Sequence, residues 1–142
     1  MNKNSNIGFI GLGNMGKPIF DHLNKNFSNI FCFDKDTSKL KKNNFSCSLI
    51  GIFEKCKIII FCIESNKQII DIIKENKIKK NTVIVDLTSS LPDLTKKISS
   101  YLKKFESHYI DAGMSGGASG ATNGTLTLML GGSKTICKKI DF

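Results

Sequence analysis

The sequence contains no arginine and no tryptophan, and only two of its 142 residues are proline. All 21 basic residues are therefore lysine, and against 12 acidic residues they give a net charge of +9. A nucleic-acid-binding surface would be expected to concentrate such charge in a tract or on one face. Here the lysines are scattered through helix-like segments, so we predict no nucleic-acid partner.

Other features that the sequence lacks narrow the class further. No apolar run approaches the roughly 20 residues that cross a bilayer, and no separate apolar segment resembling a secretory signal precedes the first strand-like run. We therefore expect a cytoplasmic protein with no membrane partner. The five cysteines include no C-x-x-C pair and neither histidine lies near a cluster of ligands, which predicts free thiols and no metal site.

Short apolar runs alternate with helix-like segments along almost the whole chain. This alternation indicates βαβ units, and we predict a single α/β domain over residues 1–142: a Rossmann-type, doubly wound, mainly parallel sheet with helices on both faces. The predicted strands are 6–11, 29–34, 57–63, 82–87, 109–111 and 126–130. The predicted helices are 15–26, one capped by Asp36 or Thr37 and reaching residue 42, 65–75, 92–104 and one after Ser133.

The turn after the first strand has the pattern G-x-G-x-x-G, from Gly11 to Gly16. In a dinucleotide site the first glycine permits the tight turn, the second lets the backbone approach a pyrophosphate, and the third lets the helix pack on the strand. Asp34 ends the second strand, 23 positions after Gly11, where a carboxylate accepts hydrogen bonds from a ribose. Strand, glycine turn, helix, strand and acid together predict a nucleotide site.

A second stretch, residues 111–125, is rich in glycine and in small or hydroxylated residues. We predict a loop here, at the sheet edge that carries the glycine turn. Ser115, Gly116 and Gly117 have the backbone amides and the hydroxyl to bind a carboxylate. On composition alone, a flexible linker or a tight crossover stays an alternative.

Taken together, these motifs resemble the β-hydroxyacid dehydrogenase family, which includes 3-hydroxyisobutyrate dehydrogenase and the coenzyme domain of 6-phosphogluconate dehydrogenase. The resemblance covers nearly the whole chain and implies hydride transfer between a nicotinamide cofactor and a 3-hydroxy acid. It rests on segments 8–16, 85–92, 111–117, 124–127 and 131–132.

The resemblance also implies a role for particular residues. The pyrophosphate is expected on Gly11, Leu12, Gly13, Asn14, Met15 and Gly16, and the adenosine ribose on Asp34. Ile63 and Glu64 are expected to lie against the cofactor, and Ser89 matches the cofactor-contacting hydroxyl of the family. Ser115, Gly116 and Gly117 match its substrate-carboxylate loop.

Two departures from the family pattern bear on function. Glu64 stands where many members carry proline, and a carboxylate beside cofactor phosphates is unfavourable unless it turns to solvent. The family's catalytic lysine belongs to a C-terminal helical domain, and none of the 21 lysines here falls in a matching motif. We therefore expect no catalytic residue within these 142 residues, a chain that is inactive alone, and a homo-oligomer in the full-length form.

The coenzyme preference follows from charge. Asp34 would repel the 2′-phosphate of NADP, and no arginine is present to hold it, although Lys35 offers a point charge. NAD is therefore favoured over NADP. Three interpretations stay open: the cofactor-binding fragment of a dehydrogenase, an NAD-binding module without catalysis (as a natural truncation or beside a separately encoded helical partner), and another Rossmann-type enzyme such as a methyltransferase. The loop at Ser115 argues against the last.

Overall fold

The computed structural model describes residues 5–40 and 45–140, and their strands and helices alternate as the sequence predicts. The strands are β1 (Ile7–Ile10), β2 (Ile30–Phe33), β3 (Ile58–Phe61), β4 (Val83–Asp86), β5 (His108–Ser115) and β6 (Thr127–Gly131). The helices are α1 (Gly16–Asn26), α2 (Leu49–Lys55), α3 (Asn66–Glu75), α4 (Pro92–Lys103), α5 (Gly117–Asn123) and α6 (Lys134–Lys139). A 3-10 turn spans Thr37–Leu40, and the predicted continuation to residue 42 lies outside the described residues.

The strands form one six-stranded sheet in the order β2-β1-β3-β4-β5-β6. The first five strands run parallel, and β6 runs antiparallel to β5. The carboxyl ends of β1 to β5 therefore meet at one edge of the sheet. The strands β2 and β3 lie on opposite sides of β1, so the strand order reverses at β1. In α/β proteins such a reversal opens a crevice that binds ligands.

The core has two layers, one on each face of the sheet. Side chains of alternate residues along a strand point to opposite faces, so Ile60 packs under α1 and α6 while Ile59 and Phe61 pack under α2, α3 and α4. All four residues of β3 are buried, as expected for a strand covered on both sides. This arrangement confirms the doubly wound α/β fold.

Residues 111–125 differ from the predicted loop. β5 continues to Ser115 because it pairs with β6 along Asp111 to Ser115, and residues 117–123 form α5. Glycine, alanine and serine give this segment no apolar periodicity, so the sequence does not reveal the helix. Its small side chains let it pack closely: Gly120 and Ala121 are buried, and a Cβ on Gly120 would lie 3.1 Å from Leu126 Cδ2.

Two predicted helix starts have different outcomes. Ser65 caps α3, since its hydroxyl accepts a hydrogen bond from the Lys67 amide at 3.2 Å. Ser133 precedes α6 but its side chain makes no capping hydrogen bond. Across the described residues, no helix is both long enough and apolar enough to cross a bilayer.

Candidate nucleotide site

The three glycines of the turn after β1 lie in three different environments. Gly11 has a φ of +103°, and a Cβ there would lie 2.2 Å from the carbonyl oxygen of Cys62. A Cβ on Gly16 would lie 2.0 Å from the Gly11 carbonyl oxygen, so α1 begins in direct contact with the turn. A Cβ on Gly13 would meet no atom within 4 Å. The second glycine therefore leaves open space where a ligand can approach the backbone.

The start of α1 presents unused hydrogen-bond donors to this space. The amides of Gly13, Asn14 and Met15 form no hydrogen bond with any residue in the described ranges. No side chain caps the helix, and its first turn holds no acidic residue. Such orphan amides, together with the positive end of the helix dipole, favour an anion such as a phosphate.

Leu12 has a different role from the one that the family resemblance implies. Its amide donates a hydrogen bond of 2.6 Å to Asp34 Oδ2, and its side chain is buried in the core. Because this amide is already used and the residue does not line the cavity, Leu12 does not present a donor to a pyrophosphate. It instead ties the glycine turn to the end of β2.

Asp34 is held firmly at the end of β2. The residue is only 6% exposed, its Oδ1 accepts from the Asp36 amide at 2.8 Å, and Lys39 Nζ lies 3.5 Å from its Oδ2. A carboxylate has about four acceptor positions in all, so the side chain can still accept from a ribose hydroxyl. Its fixed position at the cavity wall fits that role.

A single cavity of about 600 Å³ runs along the carboxyl ends of the strands, a volume typical of small-molecule sites. It extends from the end of β2, past the glycine turn on β1 and the end of β3, to the turn after β4. Nine of the ten residues that the sequence predicts as cofactor contacts line it: Gly11, Gly13, Asn14, Met15, Gly16, Asp34, Ile63, Glu64 and Ser89.

One wall of the cavity was missed by the sequence interpretation. It is a face of α3 carrying Gln68, Asp71 and Glu75, whose i, i+3, i+7 spacing is the signal that places polar side chains on one helix face. Glu64 lies beside this face and is exposed, so its carboxylate can turn to solvent. The cavity is therefore acidic along α3 and carries Lys35 and Lys39 at the β2 end.

Ser115, Gly116 and Gly117 lie at the same sheet edge but outside this cavity. Ser115 ends β5, and Gly116 and Gly117 have φ values of +122° and +57° at the start of α5. All three are exposed. Of the neighbouring residues, Met114 lines the cavity, so the segment adjoins the end of the cavity that lies near Ser89.

A buried polar network lies beneath that end of the cavity. The side chain of Asp86 is fully buried and accepts hydrogen bonds from the Thr88 amide at 2.7 Å, from the Ser90 hydroxyl at 2.7 Å and from the Tyr109 hydroxyl. Burial raises the pKa of Tyr109, and the hydrogen bond to Asp86 raises it further. Tyr109 therefore stays protonated and acts as a donor. Sequence reasoning missed this network because Tyr109, which lies 23 residues from Asp86, reaches it only through the pairing of β4 with β5.

Asp111, the neighbour of Asp86 across the β4–β5 pair, makes a testable contribution to stability. Burial, and secondly the nearby Asp86, raises the pKa of Asp111 above its ordinary value of 3.8. A folded-state pKa above the unfolded value means that ionised Asp111 destabilises the fold. The penalty is absent below about pH 3.8, grows as the pH rises to the folded-state pKa, and is complete above it.

We therefore expect Asp111→Asn to raise the thermal unfolding temperature at pH 7, with the gain shrinking towards zero as the pH approaches 3.8. Differential scanning calorimetry across this range measures it. Asp93→Asn is the matched control, because Asp93 is exposed in the first turn of α4 and favours the helix dipole. It should lower stability slightly at pH 7, and a lower unfolding temperature for Asp111→Asn as well would contradict the assignment.

The cysteines offer no nucleophile at the cavity. Burial raises the pKa of the Cys62 thiol, which lines the cavity, to about 11, and those of Cys32 and Cys56 to about 11 and 12. These thiols are protonated at neutral pH. Within residues 5–40 and 45–140, no group of three or more potential ligands is placed to hold a metal ion.

Comparison with known proteins finds dehydrogenases. The chain is 34% identical to 2-(hydroxymethyl)glutarate dehydrogenase of Eubacterium barkeri, over 99% of the chain and 50% of that protein. It is 31% identical to mitochondrial 3-hydroxyisobutyrate dehydrogenase of Rattus norvegicus, over 89% of the chain and 41% of that protein. The chain thus spans about half the length, or less, of these curated relatives.

The fold is shared with a solved structure of 3-hydroxyisobutyrate dehydrogenase from Mycobacterium tuberculosis. The TM-score is 0.86 at 19% identity, covering 96% of this chain and 49% of that one. The family described as the NAD binding domain of 6-phosphogluconate dehydrogenase matches residues 6–141. The glycine turn, the fixed acid after β2 and these matches agree, and the chain belongs to the β-hydroxyacid dehydrogenase family through its NAD-binding domain.

Proposed function

We propose that this chain binds NAD along the carboxyl edge of its sheet, as the cofactor-binding part of a 3-hydroxyisobutyrate-type dehydrogenase. The observation that carries the proposal is the continuous cavity with unbonded amides at its centre and a buried carboxylate at one end. Both features fit the group, since the amides suit a pyrophosphate and the carboxylate suits a ribose.

Residues at the ends of different strands bind different parts of the cofactor in this proposal. Asp34 at the end of β2 accepts from the adenosine ribose, and the amides of Gly13 to Met15 at the end of β1 hold the pyrophosphate. Adjacent strands lie about 4.8 Å apart, so a ligand extending from β2 over β1 and β3 reaches β4 after roughly 14 Å. The nicotinamide, which accepts or gives up a hydride when the cofactor is bound, then falls near Ser89.

The same geometry favours NAD over NADP. A 2′-phosphate would lie beside the buried Asp34 carboxylate, and a like-charge contact of this kind costs on the order of 1–4 kcal/mol. We expect calorimetry to give a dissociation constant for NAD at least about tenfold below that for NADP. Asp34→Asn should bring the two constants within about threefold of each other.

The control for charge alone is Asp71→Asn, which removes a carboxylate from the α3 wall of the same cavity. It should leave the ratio of the NAD and NADP constants unchanged. A wild-type chain that binds neither cofactor would overturn the proposed function. Equal affinity for both cofactors would overturn only the coenzyme preference.

We assign the binding of the hydroxy acid to the segment that adjoins the nicotinamide end of the cavity. Ser115, Gly116 and Gly117 adjoin that end and offer a hydroxyl and backbone amides to a substrate carboxylate. The lysines that line the cavity, Lys35 and Lys39, lie at the opposite end, near β2, where they cannot exchange a proton with the substrate. We therefore propose that these 142 residues bind cofactor without turnover, and that hydride transfer needs the lysine that the family carries in its helical domain.

Two earlier expectations, cytoplasmic location and a homo-oligomeric full-length form, stay predictions. So does the separate interpretation of the chain as an NAD-binding module with no catalytic role.

A further inference from the structure

The turn between β4 and α4 is held from beneath by one buried side chain. Asp86 Oδ1 accepts from the Thr88 amide and Oδ2 accepts from the Ser90 hydroxyl, both at 2.7 Å. The residue between them, Ser89, is exposed and lines the cavity. Both flanks of Ser89 are therefore fixed by the same carboxylate, while Ser89 itself is left to face a ligand.

The network extends to the neighbouring strands. The Tyr109 hydroxyl, from β5, donates to Asp86 Oδ2. On the other side, Thr88 Oγ1 accepts from the amide of Ile63 at 3.4 Å, and Ile63 also lines the cavity. Asp86 thus connects β5, the turn after β4 and the end of β3, which form the floor of the nicotinamide end.

A fully buried carboxylate is an unusual choice if stability were its only role. Asp86 has no lysine or histidine partner among the residues that the structure describes. Burying an acid without a cation is unfavourable unless hydrogen bonds satisfy it, and three donors from two segments converge on this one side chain. The carboxylate fixes the orientation of the turn, because its two oxygens accept hydrogen bonds from an amide and a hydroxyl on either side of one cavity-lining residue, Ser89.

We propose that Asp86 is a positioning residue for the nicotinamide half of the cofactor, acting through the turn from Thr88 to Ser90 and supported by Tyr109. This inference rests on the proposed NAD-binding function. It predicts an effect on only one half of the ligand. The glycine turn and Asp34, which are assigned to the pyrophosphate and the adenosine ribose, make no hydrogen bond with Asp86.

The test compares NADH with ADP-ribose, which has the same adenosine, pyrophosphate and ribose but no nicotinamide. In calorimetric titrations, Asp86→Asn should raise the dissociation constant of NADH by about tenfold, the effect of one misplaced polar contact. The constant for ADP-ribose should change by less than about twofold. A residue that merely stabilised the fold would affect both ligands equally.

Smaller changes to the network keep the test informative if Asp86→Asn does not fold. Ser90→Ala removes one donor and leaves the other two on Asp86, and Tyr109→Phe removes only the β5 hydroxyl. Each variant should raise the dissociation constant of NADH by about threefold and that of ADP-ribose by less. Tyr101→Phe is the matched control. Tyr101 packs on Phe105 near the C-terminal end of α4, whereas the turn after β4 precedes the N-terminal end of this helix, so the variant should change neither constant.

The outcomes separate the two proposals. If the wild-type chain binds neither NADH nor ADP-ribose, the proposed function fails and the positioning role fails with it. If the wild-type chain binds both, but the variants weaken both ligands in parallel or leave NADH unaffected, only the positioning role of Asp86 is overturned.

Discussion

Gly16→Ala is expected to destabilise the fold by about 3 kcal/mol, lowering the thermal unfolding temperature by roughly 10 °C. The added Cβ would lie 2.0 Å from the carbonyl oxygen of Gly11 and 3.0 Å from its carbonyl carbon. These are backbone atoms at the end of β1, so the contact cannot be relieved by rotating a side chain. Helix propensity works the other way, since alanine stabilises a helix interior by up to about 1 kcal/mol over glycine, but this gain is smaller than the clash.

Circular dichroism during heating measures the effect, with Gly131→Ala as the matched control. A Cβ on Gly131 meets its nearest atoms at 3.8 Å, an ordinary contact on an exposed strand, so this variant should unfold close to wild type. An unfolding temperature for Gly16→Ala equal to that of wild type would show that α1 does not begin against the glycine turn.

Gly13→Ala is expected to leave the fold intact and to abolish most cofactor binding. Its Cβ would meet no protein atom within 4 Å, so the unfolding temperature should stay within about 2 °C of wild type. The same methyl group would enter the cavity beside the free amides at the start of α1. We expect the dissociation constant for NADH to rise at least about thirtyfold, or about 2 kcal/mol, as overpacking in a fitted site produces.

Fluorescence titration with NADH measures this binding, and Gly131→Ala again serves as the control that should bind normally. The contrast with Gly16→Ala is the informative result, since one glycine is required for the fold and the other for the ligand. Normal NADH affinity in Gly13→Ala would contradict the placement of the pyrophosphate at this turn.

The sequence predicts best where local chemistry decides the structure. The apolar run before Gly11 and the glycine spacing that follows are enough to specify the first strand, turn and helix, because the turn needs a φ of +103° at Gly11 and a close contact between Gly16 and the Gly11 carbonyl, five residues apart. Asp34 is predicted for the same reason, since it ends a short apolar strand. The continuous apolar residues of β3 likewise predict a strand buried on both faces.

The sequence predicts poorly where the structure depends on contacts between segments that are distant in the chain. The extension of β5 to Ser115 depends on pairing with β6, and α5 forms from residues that have no apolar stripe. Leu12 was assigned to the cofactor from the family pattern, but its amide is used by Asp34, 22 residues away. The contact between Asp86 and Tyr109 spans 23 residues and depends on strand register, which the sequence alone does not specify.

We propose that one dinucleotide lies along the carboxyl edge of the sheet from β2 to β4. The measurement that tests it most directly is a titration of the isotope-labelled chain with NADH, followed by the shifts of backbone amide resonances. We expect saturable shifts at Gly13, Asn14, Asp34 and Ser89, with one shared dissociation constant. Small or non-saturating shifts at these residues would contradict it, as would shifts centred on the separate 140 Å³ apolar cavity between α1 and β6.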